Sequence, residues 1–261
     1  MHKVIAQLSQ DIFALVASEW KQLSNIHGKT SPDDIVSSLD LAVDQLITDR
    51  LHQAFPQDVI VTEESSADQF PNLVAGQAGW VVDPICGSMN AVRGIKLFTT
   101  NIVRVEQGKV TAAWVLDHSL NQVIWSEGQP LPHPDTHHPT KLIDLCPNQY
   151  LFQQFPEISE HYLDLVRALY TLPNVNLRDL QSSLVSAYVA TGQMDGSIIP
   201  VVKPWDILAA CFLVEKAGGI ATYFNGQPWD IHITSAILAN TQAVHSLLLD
   251  HIRAVQLDTL R

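Results

Sequence analysis

Acidic side chains recur at positions where the sequence pattern predicts the end of a strand or the start of a helix. Glu63 and Glu64 end the strand-like segment DVIVTEES, and Asp83 follows the apolar segment GWVV. Asp206 lies in the first turn of the helix predicted for PWDILAACFLVEKAGG. Any one of these acids, taken alone, is more simply explained as a surface or capping carboxylate. Together they are the ligands that a hard divalent cation takes, and such a site leaves coordination positions for water and phosphate.

The segment VVDPICGSMN that follows has the composition of a phosphate site. Asp83-Pro84 is predicted to end a strand, and Gly87-Ser88 to open a helix. Backbone N–H groups at a helix start suit a phosphate, and the Ser88 hydroxyl can also orient a water molecule. Ser88 is equally well explained as an ordinary N-cap, and the two roles are compatible. The unexpected residue in this segment is Cys86, a thiol among carboxylates.

The composition is that of a globular protein with a sizeable core. Of the 261 residues, 46% are apolar and 16% are charged, which argues against a disordered chain. A net charge of −12, with no block of Lys or Arg, argues against a nucleic-acid or membrane surface as the partner. No apolar segment approaches the length of a membrane span. The three cysteines and the absence of a secretory signal predict reduced thiols and a cytoplasmic location.

Periodicity supplies the elements that must position these residues. Apolar residues at helical spacing predict one helix over residues 3–24 and a second that starts near Asp33-Asp34, with Ile35 on its apolar face. Three β-rich segments follow Asp83, and the first two are joined by the hairpin turn EQGK. Beyond the proline-rich stretch 129–140, strands and helices alternate.

This order of elements predicts a layered α/β or α+β protein. The proline-rich stretch marks the boundary between two lobes. We expect an N-terminal α+β lobe at residues 1–135 that carries most of the acids, and a C-terminal α/β lobe at residues 136–261 that completes the site.

Four segments carry a family resemblance. TEES, WVVDPICGSMN and KPWDILAACFLVEKAGG resemble, in order and spacing, the three signature segments of the inositol monophosphatase family. SPDDIVSSLDLAVDQLI is similar to the family's helix, with Asp34, Ser37 and Asp40 at its characteristic spacing. The resemblance implies a five-layer αβαβα sandwich, a homodimer, and Mg²⁺-dependent hydrolysis of a small phosphorylated metabolite.

The resemblance also implies two metal sites. The first would be made by Glu63, Asp83 and the backbone carbonyl of Ile85. The second would be made by Asp83 and Asp206, together with the residue at position 86. The family has an acid there, and this chain has Cys86.

Catalytic and phosphate-binding roles carry over in the same way. Glu63 and Ser88 would activate the attacking water, and Asp34 is grouped with them as a catalytic residue. The backbone of Gly87 and Ser88 would hold the phosphate. These assignments follow from the motif positions.

Two departures lie on the substrate side. Asp195 keeps the family's acid, but Ile199 stands where the family has a glutamate that grips substrate hydroxyls. The family's Gly-Ser/Thr pair is Gln181-Ser182 here. Both Asp195 and Ile199 are therefore assigned to the substrate side, with altered specificity as the consequence.

The sequence thus predicts a metal-dependent phosphomonoesterase with altered substrate specificity and a weakened second metal site. Its cofactor would be Mg²⁺, with Mn²⁺ as the other candidate. The alternative is a catalytically degenerate family member that binds metal or phosphate as a regulatory or partner protein.

Overall fold

A computed structural model of the chain describes residues 1–24, 27–28, 35–135, 138–147 and 155–259. The chain divides into two compact units. The first comprises Met1–Glu127 and Ser182–Leu184, and the second comprises Gly128–Gln181 and Val185–Arg261. Each unit holds a mixed sheet with helices packed on it, so the predicted α/β class is confirmed.

The first unit pairs long helices with a meander of strands. Its helices are α1 (His2–Glu19), α2 (Ser38–Ala54), α3 (Phe70–Val74) and α4 (Ser88–Val92), with 3₁₀ turns at Trp20–Gln22 and Ala67–Gln69. Its strands are β1 (His27–Gly28), β2 (Ile35–Val36), β3 (Val59–Thr62), β4 (Gly79–Cys86), β5 (Thr99–Glu106), β6 (Lys109–Asp117) and β7 (Gln122–Ser126). β1 and β2 form a ribbon, and the other strands form a sheet in the order β3-β4-β5-β6-β7. Only β3 and β4 are parallel in that sheet.

The core of the first unit explains why the two long helices form. In α2, Leu39, Val43, Ile47 and Leu51 recur every four residues and are fully buried. They pack in one cluster with residues of α1 and with the inner face of the sheet, including Trp80. Burial of such side chains stabilises the fold by about 1.5–3 kcal/mol each.

The predicted start of α2 near Asp33-Asp34 is wrong. The helix begins at Ser38, and Ile35 belongs to the short strand β2. The backbone N–H of Leu39 donates to the Ser37 hydroxyl, and the N–H of Ser37 donates to the Asp40 carboxylate at 3.0 Å. This reciprocal capping box fixes the start of the helix at a residue that can supply both bonds.

Strand β4 also runs further than predicted. Asp83-Pro84 was expected to end it, but the strand continues to Cys86. Asp83 pairs with Asn101 and Cys86 pairs with Thr99, so the register shifts between these two pairs. Proline is tolerated within a strand at such a bulge, because the local ladder is already interrupted.

The predicted hairpin between β5 and β6 is confirmed. Gln107 and Gly108 both have positive φ, 53° and 70°, which is the backbone of a two-residue type I′ turn.

The second unit alternates strands and helices as predicted. Its helices are α5 (Pro156–Tyr170), α6 (Ser183–Thr191, whose first two residues belong to the first unit), α7 (Pro204–Lys216) and α8 (Gln242–Ala254). Its strands are β8 (Lys141–Leu145), β9 (Val175–Arg178), β10 (Gly196–Ile199), β11 (Ile220–Thr222) and β12 (Ala236–Ala239). They form a sheet in the order β11-β12-β10-β8-β9, in which β8 is parallel to both of its neighbours. Apolar side chains of α5 and α8 pack with the sheet in a single core cluster.

Across the described ranges, the helices are too short or too polar for any of them to cross a membrane.

Candidate functional site

Two predicted metal ligands lie where the pairing of the parallel strands β3 and β4 ends. Thr62 of β3 is in register with Val82 of β4, and the N–H of Glu63 donates to the carbonyl of Val82 at 3.2 Å. Glu63 and Asp83 therefore each follow the last residue pair of β3 and β4, Thr62 with Val82. Glu63 is half-buried, and Asp83 is 1% exposed.

Hydroxyl groups hold the turn that carries Glu63. The Ser66 hydroxyl donates to the carbonyl of Ile60 at 2.8 Å and accepts from the N–H of Thr62 at 3.0 Å. The Thr62 hydroxyl lies 2.7 Å from that of Ser65 and accepts its N–H. These bonds fix the backbone on both sides of Glu63, so the position from which its side chain extends is also fixed.

The bulge in β4 carries Asp83 and Cys86 together. A carboxylate oxygen of Asp83 and the sulfur of Cys86 lie within 4.8 Å of each other. The bulge is held from the neighbouring strand, because the Thr100 hydroxyl donates to the carbonyl of Pro84 at 2.7 Å. That hydroxyl in turn lies 2.9 Å from Nε2 of His118. Since Thr100 donates to Pro84, the His118 nitrogen must be the donor in the second bond.

His118 was not predicted to take part in the site. Burial lowers its pKa to about 3, so the ring is neutral at physiological pH. It stacks on Phe98 and meets Phe13 edge-on, with ring centroids 5.1 and 5.4 Å apart. His118 therefore supports the bulge as a neutral hydrogen-bond donor. Nothing in the sequence near His118 indicates a contact with Thr100.

Ser88 is fixed by two acceptors. It is the first residue of α4, and Gly87, with φ of +97°, is the N-cap, so the prediction of Ser88 as the N-cap is wrong. The Ser88 hydroxyl lies 2.7 Å from Oδ1 of Asp40 and 2.8 Å from the carbonyl of Ile85. A carbonyl oxygen has two lone pairs, so this bond leaves the Ile85 oxygen able to bind a cation as well.

Asp40 is the carboxylate that the sequence reasoning missed. It was placed in the family motif but given no catalytic role. In the structure it is 1% exposed, one of its oxygens caps α2 through Ser37, and the other accepts from Ser88. Asp34, to which the catalytic role was assigned, lies outside the described residues. The capping-box spacing of Ser37 and Asp40 was visible in the sequence, but the contact with Ser88 is tertiary.

Cys86 has a fixed sulfur. The N–H of Ser183 donates to Sγ at 3.4 Å, and the Ser183 hydroxyl accepts from the Asn101 side chain at 2.8 Å. The thiol is half-buried. These contacts all lie within the first unit and orient Cys86 at the edge that carries Asp83.

Asp206 lies in the second unit, at the third position of α7. Its carboxylate accepts from the N–H of Lys203 at 3.1 Å, which caps the helix. The side chain is half-buried. The placement of Asp206 in the first helical turn agrees with the sequence prediction for α7.

Asp195 and Ile199 lie at opposite ends of β10. The Asp195 carboxylate accepts from the N–H of Leu142 at 2.8 Å, from the Asn240 side chain at 3.1 Å and from Lys141 at 3.4 Å. Ile199 is the last residue of the strand and is 3% exposed. The roles of Asp195 and Ile199 on the substrate side remain predictions.

Asp144 is a buried acid in the second sheet that the sequence reasoning did not single out. It lies near the end of β8 and accepts from the Ser197 hydroxyl of β10 at 3.1 Å. Burial raises the pKa of its carboxyl group to about 7. The Asp144 carboxyl group is therefore protonated in part of the folded molecules at neutral pH.

The donor atoms of the first unit divide into two kinds. The carboxylates of Glu63 and Asp83 and the carbonyl of Ile85 are hard oxygen donors, which fit Mg²⁺. The sulfur of Cys86 does not fit Mg²⁺, because soft thiolate ligands select other metals.

Comparisons with known proteins agree with the fold. The model of the inositol monophosphatase family matches residues 1–257. The fructose-1,6-bisphosphatase/inositol-1-monophosphatase of Thermotoga maritima is 26% identical over 238 residues, with 90% of this chain and 89% of that protein covered. Nus factor SuhB of Salmonella typhimurium is 28% identical over 238 residues, with 88% and 86% covered. A solved IMPase/NADP phosphatase complexed with Mg²⁺ and phosphate superposes with a TM-score of 0.80 at 22% identity, with 96% and 94% covered.

Proposed function

Because the chain belongs to the inositol monophosphatase family, we propose that it is a metal-dependent phosphomonoesterase with altered substrate specificity. The observation that carries the proposal is the hydrogen bonding of Ser88 to the buried Asp40 and to the carbonyl of Ile85, which lies in the same strand as Asp83. A hydroxyl whose proton is directed at a buried carboxylate can accept a hydrogen bond from water and position it for attack.

In the proposed reaction Glu63 and Ser88 act on the attacking water. The Ser88 hydroxyl donates to Asp40 and to the Ile85 carbonyl, so the lone pairs of the Ser88 oxygen are left to accept a hydrogen bond from water. Glu63, on its fixed turn, accepts the other proton of that water as its oxygen attacks phosphorus. The ester P–O bond breaks in the same step, and the departing alcohol oxygen takes up a proton from solvent. The N–H groups of Gly87 and Ser88 hold the phosphate oxygens. A divalent cation bound at Glu63 and Asp83 would stabilise charge on the phosphoryl group.

The cofactor proposed for the oxygen ligands is Mg²⁺, with Mn²⁺ as the other candidate. The family resemblance adds Asp206 as an acidic ligand. The Mg²⁺ and phosphate named for the IMPase/NADP phosphatase structure support this choice. A cytoplasmic homodimer is the proposed form of the protein.

The substrate is proposed to be a small phosphorylated metabolite other than inositol phosphate. Ile199 is apolar and 3% exposed where the family has a glutamate. An apolar side chain cannot pair with a sugar hydroxyl, and a site that lacks such a partner loses selectivity for that hydroxyl. Asp195 remains the acid proposed for this side of the site.

A second candidate function is that of a regulatory or partner protein that binds metal or phosphate with little turnover. Cys86 favours this alternative, since it removes a hard ligand and a negative charge. A relative that bears the name Nus factor SuhB also favours it.

Phosphate release from a panel of phosphomonoesters, with Mg²⁺ and then with Mn²⁺, separates the two candidates. The unmodified protein is compared with Cys86→Asp, which restores the acid, and with Asp83→Asn as the inactive control. Turnover by the unmodified protein that Asp83→Asn abolishes supports the phosphatase. Turnover only in Cys86→Asp supports the binding protein. Turnover that Asp83→Asn leaves intact contradicts the proposed site.

A further inference from the structure

We propose that Cys86 and Asp83 bind a thiophilic divalent cation, of which Zn²⁺ is the model, through the Cys86 sulfur. The family's chemistry implies Mg²⁺, and the donor set at this position disagrees with that ion. The inference rests on the proposed function only for the assignment of this edge as a metal site. The chemistry of the Cys86 and Asp83 side chains determines which metal binds at this site.

The separation of the two ligand atoms suits a single ion. Zn–S and Zn–O bonds of about 2.3 and 2.1 Å at a tetrahedral angle place sulfur and oxygen about 3.6 Å apart. The Asp83 oxygen and the Cys86 sulfur lie within 4.8 Å of each other. The oxygen and the sulfur therefore need to approach each other by about 1.2 Å at most, and a side-chain rotation can bring both within bonding distance of one ion.

The backbone of both ligands is already fixed. The Thr100 hydroxyl holds the bulge through the carbonyl of Pro84, and Asp83 and Cys86 flank that bond in strand pairing with β5. Ligands on a fixed strand lose less conformational freedom on binding than ligands on a loose loop.

The Cys86 sulfur also accepts a hydrogen bond of a kind that suits a metal-bound thiolate. The N–H of Ser183 points at Sγ, and the Asn101 side chain anchors Ser183. An N–H directed at sulfur stabilises negative charge there, and the thiolate is the form that binds metals.

The choice of cation follows from ligand softness. Mg²⁺ demands near-octahedral oxygen ligands and keeps several waters, whereas Zn²⁺ accepts mixed sulfur and oxygen donors. Affinity at such mixed sites also increases from Mn²⁺ to the later first-row metals. We therefore expect Zn²⁺ to displace Mg²⁺ and Mn²⁺ from the Cys86 position.

The test uses Co²⁺ and Cd²⁺ as spectroscopic probes on the full chain, without any need for turnover. A sulfur-to-metal charge-transfer band reports a metal–thiolate bond directly. Cys146→Ser and Cys211→Ser are the matched thiol controls, because they remove the other cysteines of the chain. We expect the band in the unmodified protein and in both controls, and its loss in Cys86→Ser.

Competition with a chromophoric chelator measures the Zn²⁺ affinity. We expect Cys86→Ser to weaken Zn²⁺ binding at least as much as the loss of an outer-shell partner, about 10- to 100-fold. Cys86→Asp should reverse the preference and strengthen Mg²⁺ binding. Circular dichroism of each variant verifies that it is folded.

The outcomes separate this inference from the proposed function. A band that depends on Cys86 upholds it, even if no phosphomonoester is hydrolysed and the phosphatase proposal fails. No band together with Mg²⁺-dependent turnover overturns it and leaves the phosphatase in place. A band that survives Cys86→Ser but is lost in a control variant assigns the metal to another cysteine and also overturns it.

Discussion

Two strands that end at one edge of the first sheet both carry a buried aspartate, and the two aspartates have different surroundings. Asp117, the last residue of β6, accepts from the N–H groups of Ser119 and Leu120 at 2.7 and 3.1 Å and so closes the turn to β7. Asp83 is followed by Pro84, which has no N–H, and it faces Cys86 across a bulge. The turn after β6 binds Asp117 and gives it a structural role, whereas the residue after Asp83 has no N–H to donate and Asp83 is the acid that we propose as a metal ligand.

The largest effect expected from this comparison is on turnover. Asp83→Asn should lower kcat/KM by at least about 10³-fold, because metal-assisted stabilisation of the transition state is worth several kcal/mol. Asp117→Asn is the matched control, since Asn keeps the oxygen that accepts from the turn. Phosphate release by both variants, at equal folded concentration, tests the contrast. Equal losses in the two variants would contradict it.

A third strand-end acid extends the comparison to the second sheet. Because the pKa of Asp144 is raised to about 7 in the folded protein, folding takes up a proton between about pH 4 and 7. The free energy of unfolding therefore falls as pH rises through that window, and the loss is complete above the folded pKa. At about 1.4 kcal/mol per pH unit, the total is on the order of 4 kcal/mol.

Asp144→Asn should remove this pH dependence. Above pH 7 we expect Asp144→Asn to have a larger free energy of unfolding than the unmodified protein. We expect this gap between the two to narrow towards pH 4. Urea unfolding at a series of pH values measures it. A gap that does not change with pH would show that Asp144 is ionised in the folded state.

A smaller loss of activity is expected at Ser88. Ser88→Ala should lower kcat by about 10²-fold, the lower range for a group that assists proton transfer, with little change in KM. Ser88→Thr keeps the hydroxyl and should restore most of the rate. Asp40→Asn added to Ser88→Ala should cost little more, because both act through one hydrogen bond. Additive losses would mean that Asp40 acts independently of Ser88.

The smallest effect concerns Gln181. Gln181 has a φ of +50°, a left-handed backbone that favours glycine. Gln181→Gly and Gln181→Ala both lose the side-chain bond to the Pro147 carbonyl. The Gly variant should nevertheless be more stable than the Ala variant by about 1 kcal/mol, because only glycine adopts the left-handed backbone without strain. Thermal unfolding of the pair measures the difference.

Much of the fold could be predicted because its signals are local. The buried stripe of α2, the EQGK turn and the alternation of strands and helices after residue 140 all follow from spacing within one element. The start of α2 was misplaced because acids at Asp33-Asp34 also suit a helix start. The reciprocal bonds of Ser37 and Asp40 decided between the two positions.

The site was less predictable because its decisive contacts are long-range. Residue types placed Glu63 and Ser88 at element ends, where the structure has them, but Asp83 lies inside β4, which continues to Cys86. The bond from Ser88 to Asp40 joins residues 48 positions apart, and the support of Pro84 by Thr100 and His118 joins separate strands. No periodicity encodes such pairs. Motif resemblance included Asp40 but assigned it no catalytic role.

The connectivity of the first sheet has a consequence for the order of folding. Strands β5, β6 and β7 follow one another through short turns, whereas β3 and β4 are parallel and pair across residues 63–78. Closing a longer loop costs more entropy, so the meander should assemble before the parallel pair. Glu63 and Asp83 would then come together late, after the folding transition state. Substitutions at this edge should therefore change the rate of unfolding and leave the rate of folding nearly unaltered.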